Sequence, residues 1–187
     1  MKRSLLLQGW FAFAILAGVG TAAMGLKSGP QVGDELTATF EPMNVTGPDA
    51  GETTCILCEY GASPVVLVFA RDLSEPVTRL IKRLDVATGQ HQTRGLASSV
   101  IFLSKEKTLV PRIKEFAAKE RIQRTILRSY PPEGPKGYNV APDADVTVIL
   151  FVDRFVKANH ALKRGELNDK AIDAIIGDIA KILPKEH

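Results

Sequence analysis

The chain has 187 residues, of which 45% are hydrophobic and 24% are charged, and its formal net charge is +3. This length corresponds to one domain with at most a short appendage, and a domain of about 150 residues can bury a self-sufficient core. The basic residues are scattered, with no Lys/Arg block and no basic stripe interleaved with aromatic residues. The usual sequence signatures of nucleic-acid binding are therefore missing, and no nucleic-acid partner is expected.

Residues 1–25 differ in composition from the rest of the chain. A basic start, MKR, precedes the apolar run SLLLQGWFAFAILAGVG, and the small residues of TAAMG follow. This pattern is typical of a secretory signal peptide, with Thr21 and Ala23 at the cleavage site. The stretch from Leu5 to Leu26 is also long enough to span a bilayer as an uncleaved anchor. Either alternative places the remaining chain outside the cytoplasm, periplasmic or secreted, with membrane contact only through this segment if it is retained.

The rest of the sequence predicts alternating strands and helices. Residues 26–34 are rich in Gly and Pro and indicate a linker, and 35–187 form the domain. The expected elements, in chain order, are a short strand or hairpin arm within 35–47, a buried strand at 64–70, a helix from Ser74 that ends in the loop TGQHQTRG, a strand at 98–104, a helix from Leu109, a short strand at 124–129, strands at 145–153 and 154–162, and a last helix between Asn168 and Pro184.

This order of elements resembles the thioredoxin fold, with the extra N-terminal strand of its redoxin and peroxiredoxin branches. The resemblance covers roughly residues 33–183. It implies an α/β fold, a three-layer α/β/α sandwich around a mixed central sheet with an extra N-terminal strand or hairpin. The first strands are expected to be parallel with right-handed crossovers, and the last pair should form an antiparallel hairpin.

The hallmarks of that family's active site are replaced in this chain. The family places its reactive cysteines at the start of the helix after the central strand, where free N–H groups and the helix dipole stabilise a thiolate. Ser74 and Val77 stand at those two positions. Val146 stands where the family has a cis-proline, and Pro142 lies too far upstream to replace it. The sequence therefore predicts no ordinary thioredoxin or peroxiredoxin centre at this place.

A Cys-x-x-Cys pair, Cys55 and Cys58, precedes the buried strand instead of following it. Unless the loop folds back along the sheet, the pair is expected near the edge opposite Ser74, in a short turn capped by Thr53 or Thr54. Outside the cytoplasm such a pair is oxidised or takes part in redox traffic. If it is active, Cys55 is expected to attack and Cys58 to resolve the mixed disulfide, because a thiolate nearer the start of the turn is better stabilised.

The residues leave three roles open for the pair. It either exchanges disulfides with a protein thiol or disulfide partner, or forms a structural bridge in a non-catalytic interaction module, or binds copper or zinc. A metal site would need further ligands, for which His91 and His160 are the candidates, although neither has ligand-like spacing. Glu59 stands where covalent haem attachment would require histidine, and no cofactor is predicted. The oligomeric state is left open.

The motif CxxCxYG ahead of the strand PVVLVFAR also resembles a group of exported bacterial thioredoxin-like proteins. That resemblance singles out Tyr60, Gly61 and Arg71 in addition to the two cysteines. Gly61 is typical of a turn glycine and Tyr60 of a core aromatic residue. Arg71, at the strand end, is expected to face solvent, with a substrate carboxylate as the alternative.

Overall fold

A computed structural model describes residues 25–185 of the chain. Its strands are β1 (Met43–Asn44), β2 (Val65–Ala70), β3 (Ala97–Leu103), β4 (Thr125–Tyr130), β5 (Val146–Val152) and β6 (Phe155–Leu162). Its α-helices are α1 (Ile56–Tyr60), α2 (Glu75–Gln90), α3 (Leu109–Glu120) and α4 (Asp169–Asp178), with short 3₁₀ turns at Gln92–Arg94 and Ile179–Lys181. The predicted signal peptide or anchor lies almost entirely outside the described residues.

The strands form one mixed sheet in the order β1-β4-β3-β2-β5-β6. Strand β2 pairs in parallel with β3, and β3 in parallel with β4, while β5 is antiparallel to both β2 and β6. All six residues of β2 are buried, as expected for a central strand covered on both faces. Residues Asp153 and Arg154 connect β5 to β6 with positive φ angles, the conformation of a tight hairpin turn.

The two faces of the sheet are covered differently. The apolar sides of the three long helices, α2, α3 and α4, pack on one face against alternate strand residues such as Val66 and Val68. The short helix α1, the chain around Leu36 to Phe40 and the side chain of Tyr138 cover the other face, against residues such as Leu67. The predicted α/β/α sandwich is confirmed, with a second outer layer that is mostly irregular chain.

The N-terminal strand lies within the predicted segment 35–47, but not at the residues that alternate. The alternation in residues 36–40 correctly indicates that Leu36 and Phe40 are buried. However, this segment makes only an isolated bridge from Glu35 to Phe155, and the strand that joins the sheet is β1, paired antiparallel with β4. The alternation of apolar and polar residues in this segment therefore reflects packing against the face of the sheet, not hydrogen bonding to a neighbouring strand.

Two further boundaries differ from the predicted ones. Helix α2 continues through Gln90 instead of ending at Thr88, because Thr88 is buried and its hydroxyl lies 2.7 Å from that of Ser98. Ser28 and Gly29, within the predicted linker, are buried, whereas residues 32–34 are exposed. The Ser28 hydroxyl contacts the Thr147 hydroxyl at 2.6 Å, and the Asn159 amide donates to the Ser28 carbonyl at 2.9 Å.

Candidate functional site

The two cysteines are joined in a disulfide at the start of their own helix. Cys55 is the N-cap of α1, and the Cys58 N–H donates a hydrogen bond to the Cys55 sulfur at 3.2 Å. The Cα atoms lie 5.2 Å apart, and the bridge spans a sequence separation of three. The predicted cap by Thr53 or Thr54 is wrong, because the cysteine sulfur itself fills the capping position.

Burial on one side of α1 fixes this helix, which is too short to be stable alone. Ile56 and Leu57 are buried against the sheet, and Gly61 ends the helix with a φ of 53° while its N–H donates to the Leu57 carbonyl. A positive φ at this point favours glycine, so the predicted role of Gly61 as a turn residue is confirmed. The same arrangement leaves Cys58 exposed and Cys55 half-buried.

The loop ahead of α1 folds back along the sheet, so the pair does not lie at the edge opposite Ser74. Thr53 forms a β-bridge with Met43. Through its pairing with β4, and that of β4 with β3, Met43 lies at the same level of the sheet as Ala70, the last residue of β2. Helix α1 then returns towards the start of β2, where the Ala62 carbonyl accepts from the N–H of Asp153. The expectation of the opposite edge is therefore corrected. The chain that leads into the disulfide lies at the carboxyl edge of the parallel strands.

The usual active-site position lies across the sheet from the pair. Ser74 is the N-cap of α2 without a side-chain capping bond, and Val77 is buried among the helices of the other face. Val146 begins β5 and pairs with Ala70, and residues 25–185 contain no cis peptide bond. Because α1 and α2 pack on opposite faces, the cysteines depend on the start of α1 and not on that of α2.

A buried arginine in the sheet, which the sequence reasoning did not identify, bonds to residues at both ends of the cysteine pair. Arg128 in β4 is 1% exposed, and its guanidinium pairs with the Glu59 carboxylate at 2.6 Å. It also donates hydrogen bonds to the hydroxyl of Thr54 and, at 3.2 Å, to that of Tyr60. A buried cation needs such partners, since an unpaired charge in the core is strongly destabilising. The available signal was a lone basic residue on the face of β4 that also carries Ile126.

Tyr60 packs beside this arginine at the edge of the core. The guanidinium carbon of Arg128 lies 5.8 Å from the centre of the Tyr60 ring, within cation–π range. Burial raises the pKa of the Tyr60 phenol above its usual value, although the charge of Arg128 opposes this shift. Tyr60 is thus a core aromatic residue, as predicted, and also a member of the charged cluster below the pair.

Arg71 is half-buried and bonds to the backbone of a neighbouring loop. Its guanidinium donates to the carbonyls of Ala144 at 3.3 Å, Ala141 at 3.0 Å and Pro132. These bonds fasten the loop between β4 and β5 to the end of β2. The expectation that it faces solvent is wrong, since Arg71 is half-buried and each guanidinium nitrogen donates to a backbone carbonyl, while contact with a substrate carboxylate stays a prediction.

The two histidines considered as extra metal ligands lie away from the cysteines. His160 on β6, at the far edge of the sheet, contacts the Asp178 carboxylate at 3.1 Å, and His91 follows the end of α2 on the opposite face from α1. Within residues 25–185 no group of three or more His, Cys, Asp or Glu side chains is placed to hold a metal ion. The structure does not bring either histidine to the cysteines.

A cleft opens close to the disulfide at the carboxyl edge of β3 and β4. Its volume is about 800 Å³, and its wall includes Met43, Thr53, Leu109 and Tyr130 together with the carboxylates of Glu41 and Glu106. Thr53 is two residues from Cys55, so their Cα atoms are at most about 7 Å apart.

Comparison with solved structures identifies the fold as thioredoxin-like. A candidate protein disulfide isomerase from Bacteroides thetaiotaomicron superposes with a TM-score of 0.64 at 13% identity, over 86% of this chain and 96% of that one. The peroxidoxin BcpB from Mycobacterium tuberculosis gives 0.57 at 18% identity, over 82% and 99%. A secreted M. tuberculosis disulfide oxidoreductase homologous to E. coli DsbE gives 0.53 at 10%, over 75% and 94%.

At these identities the likeness shows the fold alone. No protein-family model matches the chain, and no curated protein sequence matches it either. None of the helices within residues 25–185 combines the length and the apolar character that crossing a bilayer requires. What the structure and the comparisons establish together is a thioredoxin-like fold with a CxxC disulfide ahead of its central strand.

Proposed function

We propose that the Cys55–Cys58 pair exchanges disulfides with cysteine-bearing proteins outside the cytoplasm, which makes the chain a thiol–disulfide oxidoreductase. The observation that carries this proposal is that Cys58 is an exposed residue whose sulfur is bonded to a Cys55 sulfur that accepts a hydrogen bond from the Cys58 N–H. Access to one sulfur and stabilisation of the other are the two requirements of exchange. The extracytoplasmic location is supported by the N-terminal pattern and by the secreted neighbour.

The oxidising direction follows from these two features. A partner thiolate attacks the Cys58 sulfur and forms a mixed disulfide, while the Cys55 sulfur leaves as a thiolate with the electron pair of the broken bond. A lower-pKa thiol leaves faster, and the hydrogen bond from the Cys58 N–H stabilises the Cys55 thiolate. A second partner thiolate then attacks the partner's sulfur in the mixed disulfide and releases Cys58. The partner ends as a disulfide and the pair as a dithiol.

The reducing direction passes through the same mixed disulfide in reverse, so attack on Cys58 in the oxidising direction implies Cys58 as the attacking sulfur in the reducing one. Thiolate stability alone favours Cys55 as the attacking sulfur, as the sequence predicts, whereas exposure favours Cys58. Single variants separate the two. If Cys55 attacks, Cys58→Ser should accumulate the mixed disulfide with an oxidised partner, and if Cys58 attacks, Cys55→Ser should accumulate it. Mass spectrometry after acid quenching identifies the sulfur that is bound.

Disulfide transfer tests the proposed activity directly. The oxidised full-length protein is mixed with a reduced, unfolded protein that contains two cysteines, and free thiols are counted over time. We expect transfer at least about tenfold faster than by the same concentration of glutathione disulfide. The Cys55→Ser/Cys58→Ser protein is the matched control. Transfer no faster than by glutathione disulfide would favour the alternative, a non-catalytic module with a structural bridge.

A further inference from the structure

We propose that Arg128 is a positioning residue for the cysteine pair and that its bonds and the disulfide stabilise each other. The inference gains its biological meaning from the proposed redox function, but its test requires only a small-molecule reductant. Failure of protein disulfide transfer would therefore leave it standing, and the reverse also holds.

The argument begins with the position of the arginine's partners in the sequence. Thr54 immediately precedes Cys55, and Glu59 immediately follows Cys58. The Arg128 guanidinium bonds to both, through one terminal nitrogen to the Thr54 hydroxyl and through the other to the Glu59 carboxylate at 2.6 Å. One rigid, planar group thus holds the two ends of the segment that the disulfide closes.

The bonds from Arg128 to Thr54 and Glu59, called the clamp below, are stronger than a surface ion pair because Arg128 is buried. Arg128 is 1% exposed and its Nε has no hydrogen-bond partner among the described residues, so all of its side-chain hydrogen bonds there run through the two terminal nitrogens. Hydrogen bonds to a desolvated charge are stronger than those between neutral groups, and a buried guanidinium left without them is costly. The cation is therefore strongly driven to keep Thr54 and Glu59 in place.

The consequence for the disulfide is thermodynamic. When the bridge is reduced, α1 loses its covalent closure and its ends gain freedom, so the clamp must restrain them alone. Two constraints on the same segment reinforce each other, and their coupling is reciprocal. Arg128 thus keeps the reduced sulfurs close to bonding geometry and makes the bridge harder to reduce.

Electrostatics alone predicts a shift of opposite sign. A positive charge near the sulfurs would stabilise the thiolate form and make the bridge easier to reduce. The Glu59 carboxylate at 2.6 Å from Arg128 offsets most of that charge. The sign of the shift on removing Arg128 therefore distinguishes positioning from electrostatics.

The experiment measures the reduced fraction of the full-length protein at equilibrium with dithiothreitol, by alkylation and mass spectrometry. We expect Arg128→Met to raise the reduction equilibrium constant about tenfold, equivalent to about 30 mV. Thr54→Val, which removes one arm of the clamp, and Glu59→Gln, which removes the negative charge of the other arm but keeps an acceptor oxygen, should each raise it about threefold. Arg83→Met, which breaks an exposed pair with Asp173 on α4, is the matched control and should leave it unchanged.

Two results would overturn the inference. One is an unchanged constant in Arg128→Met, Glu59→Gln and Thr54→Val, which would mean that Arg128 stabilises both redox states equally. The other is a lower constant in Arg128→Met, which would assign the arginine an electrostatic role. If Arg128→Met does not fold, the Glu59 and Thr54 variants decide the matter, because their side chains lie nearer the surface.

Discussion

Removing the disulfide should cost the protein little stability. The bridge closes a ring of about four residues, for which the loop-entropy relation gives about 6 cal/mol/K, or about 2 kcal/mol at 25 °C. Helix α1 should persist without it, because Ile56 and Leu57 are buried in the core and Arg128 binds both ends of the segment. By the thermodynamic cycle between folding and reduction, the same 2 kcal/mol makes the folded bridge about 40 mV harder to reduce than that of the unfolded chain.

Urea unfolding of the oxidised protein, the reduced protein and Cys55→Ser/Cys58→Ser measures this difference. We expect both reduced forms to unfold cooperatively, with free energies of unfolding about 2 kcal/mol below that of the oxidised protein. Melting temperatures should fall by about 4–8 °C, as is usual for domains of this size. A loss above about 5 kcal/mol, or the absence of a folded reduced state, would refute the reasoning and identify the bridge as structural.

Three further predictions concern side chains away from the pair. Tyr138→Phe should leave the free energy of unfolding unchanged or raise it by up to about 1 kcal/mol, since the Tyr138 hydroxyl is buried without a hydrogen-bond partner among residues 25–185. A loss above about 1 kcal/mol would reveal such a partner. Asp85→Ala should destabilise the protein by about 2–3 kcal/mol in urea unfolding, because one Asp85 oxygen accepts from the N–H groups of residues 123–125 at 3.0, 2.7 and 2.8 Å. Asp85→Asn, which keeps an acceptor oxygen, should lose less than half as much, and equal losses would contradict the explanation. Asp178→Asn should cost under about 1 kcal/mol at pH 7 and progressively less as the pH falls below about 4, as measured by unfolding across pH.

The pH dependence of the last variant follows from the carboxylate's partners. Burial alone would raise the pKa of Asp178, but hydrogen bonds from Lys181 and His160 outweigh it and hold that pKa below its usual value. A depressed pKa in the folded state adds stability above the unfolded pKa of about 4, and this stability is lost as the pH falls through the folded value. A difference between the two proteins that persisted at low pH would exclude this origin.

Periodicity predicted most of the fold because burial governs it directly. The β-branched run at 64–70 and the apolar stripe of α2 can bury their side chains only between packed layers. Both elements appear where they were expected. The segment around Leu36 shows the limit of this reasoning. Alternation identifies which side chains are buried, but whether the backbone pairs depends on a neighbouring strand that local sequence does not specify.

The candidate site was predictable only in part. The spacing of Cys55 and Cys58 identified the pair, and Ser74 and Val77 were located at the positions where the family has its cysteines. The folding-back of the loop depends on the bridge from Thr53 to Met43, and the role of Arg128 on contacts across 69 and 74 residues of sequence. Such contacts are set by tertiary packing and leave no local pattern.

The reduction potential of the Cys55–Cys58 disulfide tests the central claim most directly. It is measured on the full-length protein by equilibration with dithiothreitol buffers, with Cys55→Ser as the control for alkylation. A bridge that exchanges with partner proteins should have a potential less negative than about −300 mV. A value well below −300 mV would contradict the account and assign the bridge a purely structural role.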